Sequence, residues 1–245
     1  MFFARGESDT KKLEEKKINI WKGNTSREFL DSVGLNHLRE GSLGRGYGVQ
    51  WRDWRSSTID CFDNRYGNSN DAERYFGAIV DVKHTDQLKN LLDGLKNDPN
   101  GRRHIISSWN VGELDQMALM PCHYLQQYYV RDGKLDSLFS MRSTDTIYGL
   151  PYNLMSYGFL NHAFAKILGL EPGNLTYFGA DVHIYKNQLW MAEEMIKREP
   201  RPLPTLIINK ELKTLDDFLS LEYSDVELVG YDPHPDFKDK PPMAV

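Results

Sequence analysis

The sequence predicts a single-domain α+β protein in which a sheet packs against one long central helix. Three observations favour this fold class. Helical and extended segments are mixed without a regular alternation of strand and helix. The stretch from Pro151 to about Leu168 is apolar on nearly all sides, as in a buried core helix. The 245 residues contain no composition break that indicates a linker, so we expect one domain over 1–245.

The first part of the chain has mainly helical patterns. We predict short helices over 10–17 and 26–33, the second beginning with a hydroxyl side chain as its cap. The glycine-rich run GSLGRGYGVQWRDW follows, and residues 55–70 have the polar composition of a surface insertion. Leucines at helical spacing then predict a helix over 85–97, which the turn sequence NDPNG ends.

Extended segments dominate the middle of the chain. The runs HIISSWNV, HYLQQYYVRDG and KLDSLFSMR predict three strands, the last two joined by a hairpin at Asp132 and Gly133. After the central helix we predict a strand at LTYFGADVHIY and a helix over 186–198, which the prolines of EPRPLP end. The runs TLIIN and VELVG predict two late strands, and the tail is irregular.

Composition excludes several classes of function. A formal net charge of −5 argues against a nucleic-acid coat or a binder of anionic membranes. The absence of a bilayer-length apolar run and of a signal peptide predicts a soluble, cytoplasmic protein. The two cysteines, Cys61 and Cys122, form no CxxC or His/Cys cluster, so we expect neither a disulfide framework nor a metal site.

Cys122 stands between a proline and a histidine, and its residue type favours either a buried apolar role or a nucleophile. Downstream, the chain adds polar groups that suit a small phosphorylated heterocycle. These groups are a guanidinium, a hydroxyl, a carboxylate, a carboxamide and a His/Tyr pair predicted on one side of a strand. They belong to Arg142, Ser143, Asp145, Asn153, His183 and Tyr185.

Sequence motifs along almost the whole chain resemble those of the thymidylate synthase family. In family order they are INIWKGNTSREFLDSVG, YGVQWRDW, NDPNGRRHIISSWNVGELDQMALMPCH, RSTDTIYGLPYNLMSYGFL, DVHIYKNQ, REPRPLP, VGYDPHP and PPMAV. The WKGNTSREF and MAV forms are more similar to eukaryotic members than to short bacterial ones. The resemblance implies a large twisted mixed sheet on a long buried helix, with two such sheets packed back to back in a homodimer.

The resemblance also implies the reaction. Family members add a cysteine to C6 of dUMP, and 5,10-methylenetetrahydrofolate serves as cosubstrate, without a metal. The products are dTMP and dihydrofolate. Cys122 matches the nucleophile, whose addition makes C5 of the pyrimidine electron-rich. We expect a neighbouring arginine to favour its thiolate.

The nucleotide-binding positions of the family match polar residues of this chain. Arg142 and Ser143 match phosphate ligands, for which a guanidinium fork has the right shape. Arg102 and Arg103 match arginines that reach across the dimer to the partner's phosphate. Asn153 matches the residue that hydrogen-bonds the pyrimidine edge, and a carboxamide there favours dUMP over dCMP.

The resemblance assigns roles to further residues. His183 and Tyr185 match the pair that binds the deoxyribose 3′-hydroxyl. Asp145 matches a catalytic carboxylate that also holds the folate pterin, while His123 and Tyr47 match members of a proton-transfer network. The expected folate site is walled mainly by aromatic and apolar groups and closed by the chain terminus. Its residues are Trp21, Asn24, Leu119, Asp145, Tyr148, Tyr152, Ala244 and Val245.

Several positions depart from the family pattern. We expect the sequence to lack the family's amino-terminal segment, which carries a phosphate-binding arginine and a glutamate. Met141 replaces a usual glutamine, Arg45 a usual proline, Tyr148 a usual leucine and Met155 a usual alanine. A methionine directly before the Arg-Ser pair, as at Met141, also occurs in phage pyrimidine hydroxymethylases. A dUMP hydroxymethylase using the same folate and a catalytically silent nucleotide-binding homologue therefore stay open as alternatives.

Overall fold

The computed structural model describes residues 1–59 and 80–237, and Cys61 lies outside them. Within these ranges a four-stranded mixed sheet packs against one long helix, accompanied by short helices and two separate pairs of strands. One cluster of buried apolar side chains includes residues from Ala4 to Leu221. The predicted mixed α+β content and mixed sheet are confirmed. The assignment of 1–245 to one domain stays a prediction.

Short elements precede the main sheet. They are α1 (Lys11–Glu14), α2 (Arg27–Ser32), α3 (Gly48–Arg52), β1 (Trp54–Ile59), β2 (Val80–Thr85) and α4 (Gln87–Asn97). Helix α1 is shorter than predicted, and the turn that follows it includes Lys17 at a φ of 62°. Helix α3 was not predicted, because its few residues follow a run rich in glycine. Within the stretch 55–70, predicted as a surface insertion, residues 55–59 pair with β2 and 60–70 lie outside the described residues, so the insertion stays a prediction.

Side chains cap two of these helices. The Ser26 hydroxyl accepts a hydrogen bond from the Phe29 N–H (3.2 Å) at the start of α2. At the start of α4, the Asp86 carboxylate accepts one from the Lys89 N–H (3.0 Å). Helix α4 begins at Gln87 rather than at residue 85, because Thr85 still pairs with β1.

The main sheet has the order β3-β4-β5-β6. Its strands are β3 (Ile105–Ser107), β4 (His123–Arg131), β5 (Lys134–Asp145) and β6 (Glu171–His183). Strands β3, β4 and β5 are antiparallel neighbours, whereas β5 and β6 are parallel. The hairpin at Asp132 and Gly133 is confirmed, with φ angles of 51° and 72°. Strand β3 is shorter than predicted, because the chain leaves the ladder after Ser107 and forms a 3-10 helix over Val111–Gln116.

The long helix α5 (Gly149–Leu168) is the core helix that the sequence predicted. It begins before Pro151, which falls in the first turn, where a missing N–H costs no hydrogen bond. Phe164 is fully buried in it, and Gly169 ends it in the left-handed conformation. The burial is not complete on all sides, because Met155 in the first half is 60% exposed.

The last third of the chain adds small elements. They are α6 (Leu189–Met195), β7 (Thr205–Ile208), α7 (Leu215–Leu219) and β8 (Val226–Val229), with β7 and β8 antiparallel. The predicted helix over 186–198 begins as a 3-10 turn, and α7 was not predicted. Among the helices of the described residues, none is long and apolar enough to cross a membrane. The cytoplasmic location stays a prediction.

The face of the main sheet opposite α5 carries exposed apolar side chains. Tyr128 and Tyr177 pack with the buried core. Because side chains alternate along a strand, their neighbours Tyr129 and Phe178 point to the opposite side. We call this side the outer face and define it by Ile105, Tyr129, Phe178 and Val182, whose exposed fractions run from 39% for Tyr129 to 57% for Phe178.

Candidate functional site

A cavity of about 300 Å³ opens where the start of β4, the end of β5 and the first turn of α5 meet. Most of the predicted site residues contribute to its wall. The lining residues are Ile20, Trp21, Asn24, Tyr47, Leu119, Cys122, His123, Met141, Arg142, Ser143, Asp145, Tyr148, Gly149, Tyr152, Asn153 and Tyr185. Of these, Ile20 and Gly149 had no predicted role, and Met141 had been noted only as a departure from the family pattern.

Strand pairing brings these distant parts of the sequence together. His123 pairs with Met141, and the Arg142 N–H donates to the Cys122 carbonyl (2.9 Å). At the end of β5, the Asp145 carboxylate accepts hydrogen bonds from the N–H groups of Ile147 (3.0 Å) and Tyr148 (3.3 Å). That turn directs the chain into α5, so the first turn of the helix lies beside the cysteine.

Cys122 is partly buried at the cavity wall. Its N–H donates to the Tyr47 hydroxyl (3.1 Å). Burial raises the pKa of the thiol, while the positive charge of Arg142 and a hydrogen bond with Tyr47 lower it. The expected effect of the arginine is present, but burial outweighs it, so the resting side chain is a thiol at neutral pH.

The Arg142 guanidinium is held rigidly beside the thiol. Its Nε donates to the Pro121 carbonyl (3.0 Å) and its Nη2 to the Met120 carbonyl (2.8 Å). The guanidinium carbon also lies 5.6 Å from the centroid of the Trp109 ring. A guanidinium has five N–H donors, so further donors remain for an anion at the cavity wall.

Asn153 contacts one of the residues that depart from the family pattern. Its Nδ2 donates to the Met141 sulfur at 3.6 Å, and Met141 is buried. A thioether sulfur accepts weakly and cannot donate, so it favours the amide orientation that turns the nitrogen towards it. The Asn153 carbonyl oxygen is then left for other partners.

Aromatic rings stack behind the cysteine. The Tyr47 ring stacks on Phe3 (centroids 4.9 Å apart) and on His123 (4.3 Å), and the Phe3 and His123 centroids are 6.0 Å apart. Burial lowers the pKa of His123 to about 3 and raises the pKa of Tyr47 far above its usual value. The His123 Nδ1 bonds to the Tyr157 hydroxyl at 2.8 Å. Sequence reasoning missed Tyr157, although its position one helical turn after Asn153 was an available signal.

The remaining predicted folate-site residues form an aromatic and apolar wall. Trp21, Leu119, Tyr148 and Tyr152 all line the cavity, and the buried Asn24 joins them. The Trp21 ring lies 5.4 Å from Tyr47, and the Tyr148 hydroxyl donates to the sulfur of Met191 (3.5 Å). Such a wall suits a flat heterocycle, because ring faces pack closely and exclude water.

Other predicted site residues lie away from the cavity wall. Arg102 and Arg103 are exposed in the turn before β3. His183 does not line the cavity, but its ring contacts that of Tyr185, with centroids 4.9 Å apart. The expectation that this pair shares a strand is wrong, because β6 ends at His183.

The prediction for the chain terminus cannot be placed, since Ala244 and Val245 lie outside the described residues. In 1–59 and 80–237, no three or more His, Cys, Asp or Glu side chains are grouped to hold a metal ion.

Comparisons with known proteins agree with one another. A sequence model described as thymidylate synthase matches residues 1–245. The chain is 41% identical over 245 residues to a bifunctional dihydrofolate reductase-thymidylate synthase of Zea mays, covering 100% of this chain and 43% of that protein. It is 41% identical over 238 residues to a thymidylate synthase of Corynebacterium aurimucosum, covering 97% of this chain and 74% of that protein. The chain thus spans less than half the length of the bifunctional plant relative.

The opposing effects on Cys122 predict how its reactivity changes with pH. We expect peptide-resolved alkylation by iodoacetamide to rise with pH around a midpoint above the usual thiol value. Arg142→Met removes the positive charge that lowers the pKa, so its midpoint should move higher still. Arg142→Lys keeps a positive charge and is the matched control, with a smaller shift. A midpoint unchanged in Arg142→Met would contradict the electrostatic role of the arginine.

Proposed function

The chain belongs to the thymidylate synthase family, and on that premise we propose that it methylates dUMP reductively with 5,10-methylenetetrahydrofolate, giving dTMP and dihydrofolate. The observation that carries the proposal is the meeting of Cys122, Arg142 and Asn153 at one cavity with an aromatic wall. The names of the relatives do not favour a hydroxymethylase or a silent homologue.

The proposed nucleotide pose follows from the chemistry of the cavity wall. Arg142 and Ser143, next to each other on β5, bind the phosphate through charge-assisted hydrogen bonds. Asn153 reads the uracil edge, donating to O4 and accepting from N3–H. Tyr185 reaches the deoxyribose, supported by the His183 ring packed against it.

Bond formation begins at Cys122. Its sulfur adds to C6 of the uracil, and the π electrons of the C5–C6 bond move towards O4, which makes C5 a nucleophile. The thiol is protonated at rest, because burial raises its pKa, so its proton must pass to water before the sulfur adds as the thiolate. Arg142 stabilises the thiolate when it forms. His123 and Tyr47 are both neutral at the cavity wall, so they contribute hydrogen bonds rather than charge.

The folate cosubstrate is the source of the one-carbon unit and of the hydride. Trp21, Leu119 and Tyr152 present the flat apolar surface against which its ring system packs. Asn24 and Asp145 add polar groups at the same wall. Exclusion of water by these rings protects the exocyclic methylene on C5, which exists before hydride transfer, from attack by water.

The first test uses a mechanism-based probe. Incubation with 5-fluoro-dUMP and methylenetetrahydrofolate should give a stable covalent ternary adduct at Cys122, read by intact mass and peptide mapping. Cys122→Ala should give no adduct while keeping its thermal midpoint, since one small side chain replaces another. With dUMP, the wild-type chain should form dTMP and dihydrofolate. Hydroxymethyl-dUMP without dihydrofolate, or no product and no adduct, would refute the proposal.

The second test concerns the pyrimidine edge. Asn153→Asp should shift the ratio of dUMP to dCMP affinity towards dCMP by at least about 10-fold, because a carboxyl group suits the reversed donor pattern of cytosine. Isothermal titration with each nucleotide measures the ratio. Asn153→Ala is the control and should weaken dUMP binding without creating a preference for dCMP. An unchanged ratio in Asn153→Asp would argue against the edge-reading role.

We further propose that two chains pack their sheets back to back as a homodimer. The outer face supports this, because several large apolar side chains exposed on one side of a sheet are typical of an interaction surface. Arg102 and Arg103 support it too, since both are exposed and neither lines the cavity of its own chain. In the proposed dimer they reach the phosphate bound by the partner subunit.

The dimer is tested by a charge placed on the outer face. Phe178→Asp should convert the dimer to a monomer in light scattering, because it buries a charge in the interface. Ile196→Asp is the control and should leave the dimer intact, because Ile196 is 84% exposed but lies after α6 and not on the main sheet. Mixed dimers of a Cys122→Ala chain with an Arg102→Ala/Arg103→Ala chain should regain activity that neither parent has, up to about half of wild type, since one site per dimer is intact. A Phe178→Asp chain that stays dimeric would contradict this packing.

A further inference from the structure

Tyr157 contacts the site without lining it. Its hydroxyl lies 2.8 Å from the Nδ1 of His123, and both side chains are buried, at 3% and 6% exposed. We propose that Tyr157 is a positioning residue that fixes the tautomer of His123, so that the imidazole presents its Nε2–H to the cavity. The role is not part of the site expected from the sequence.

The direction of the hydrogen bond follows from the donors available. A tyrosyl hydroxyl that keeps its proton must find an acceptor when it is buried. Within the described residues, the bonded partner of the Tyr157 hydroxyl is the Nδ1 of His123. If Nδ1 carried the imidazole proton, it would donate to the tyrosyl oxygen and leave the buried O–H unpaired. The arrangement with every donor paired therefore has Tyr157 donating to a bare Nδ1.

The charge states agree with this direction. Burial raises the pKa of Tyr157 well above its usual value, so the hydroxyl keeps its proton. Burial also lowers the pKa of His123 to about 3, so the imidazole is neutral near pH 7 and carries a single N–H. With Nδ1 bare, that N–H is on Nε2.

Packing fixes where this N–H points. The Tyr157 ring stacks on Phe139, with centroids 4.2 Å apart and planes 15° apart, which holds its hydroxyl oxygen beside His123. The His123 ring stacks on Tyr47 and meets the Tyr157 ring edge-on at 82°. His123 lines the cavity, and no described residue bonds its Nε2. The Nε2–H is thus a fixed donor for a carbonyl oxygen or a water inside the cavity.

The consequence for catalysis rests on the proposed function. A neutral imidazole with a pKa of about 3 is a poor base at neutral pH but a good hydrogen-bond donor. In the proposed reaction, negative charge develops on the pyrimidine oxygen when the thiolate adds. A donor already oriented towards the cavity stabilises that charge without reorganisation, directly or through a water. Tyr157 acts through His123 and touches no substrate.

The tautomer is measured without any ligand. Two-bond ¹H–¹⁵N correlation spectra of chain labelled with ¹⁵N-histidine distinguish the two neutral tautomers, and the His123 signals are assigned by their loss in His123→Gln. We expect the wild type to show the Nε2–H form. Tyr157→Phe should shift the signals towards a mixture of tautomers. An Nδ1–H form in the wild type would overturn the proposal, whether or not Tyr157→Phe folds.

Tyr128→Phe is the matched control. Tyr128 is equally buried in the same core, and its hydroxyl donates to Gln126 Oε1 (2.9 Å) rather than to a site residue. Both variants lose one buried hydroxyl hydrogen bond, but only Tyr157→Phe should move the His123 signals. If Tyr128→Phe moves them as much, the effect belongs to general loosening of the core and the proposal fails.

Turnover gives the second readout. Tyr157→Phe should lower kcat about 10-fold with less than about a 2-fold change in KM for dUMP, while Tyr128→Phe should leave kcat within about 2-fold of wild type. A changed tautomer with unchanged kcat would overturn the catalytic part of the proposal. An Nε2–H tautomer in a wild-type chain that forms no product would instead refute the proposed function and leave the assignment of Tyr157 standing.

Discussion

The antiparallel pairing of β4 (His123–Arg131) with β5 (Lys134–Asp145) is the constraint on which the site depends. It brings the nucleophile candidate next to the cation that stabilises its anionic form, because the Arg142 N–H bonds to the Cys122 carbonyl. The tight turn at Asp132 and Gly133 sets the register of the hairpin. A slip of one residue would turn the side chains of β5 to the opposite face relative to β4 and would send Met141 and Phe139 out of the core.

Burial then determines the chemistry of the groups that this pairing collects. Aromatic rings pack behind the cysteine, and the low dielectric of that environment disfavours every charged form. It raises the pKa of Cys122 and lowers that of His123 to about 3. Arg142 keeps its charge and supplies the counter-effect. A protonated thiol beside a fixed cation is suited to binding an anionic nucleotide and to forming a thiolate when the substrate is in place.

The sequence predicted the fold where a pattern is long and regular. The apolar run of α5 (Gly149–Leu168) and the alternating segments of the main sheet were identified because their periodicity extends over many residues. Helix α3 (Gly48–Arg52) and helix α7 (Leu215–Leu219) were missed, since five residues are too few to reveal a period. The polar composition after residue 55 masked β1, which is a strand stabilised by pairing rather than by an apolar face.

Most residues of the predicted site lie at one cavity, but the sequence could not predict how their environment shifts their pKa values. Residue types and motif order indicated which side chains share the cavity. The sequence could not show whether burial or Arg142 has the larger effect on the pKa of Cys122, because the degree of burial depends on packing from several elements. Tyr157 was missed for the same reason. Its role follows from one hydrogen bond to His123 inside the core. The spacing of one helical turn from Asn153 was an available signal, but spacing alone does not reveal that bond.

The turn that positions Tyr47 shows how a departure from the family pattern is accommodated. Tyr47 has a φ of 40°, a conformation that costs a non-glycine residue roughly 1–3 kcal/mol. Two residues before it, Arg45 stands where the family pattern has a proline, whose ring would restrict the backbone. Here Arg45 bonds instead to Glu113 (3.0 Å) and Asp53 (2.8 Å), and its carbonyl accepts from Gln50 (2.8 Å).

These bonds hold the Tyr47 turn from three directions. The Arg45 and Glu113 side chains are both largely buried, so breaking the pair would leave an uncompensated charge inside the protein. The Arg45 N–H also donates to the Gln116 carbonyl (3.0 Å), which ties the turn to the segment leading to Cys122. The polar contacts of Arg45 therefore connect the strained Tyr47 turn to the segment that carries Cys122. These contacts keep the Tyr47 hydroxyl in place to accept the hydrogen bond from the Cys122 N–H, although no proline restricts the turn.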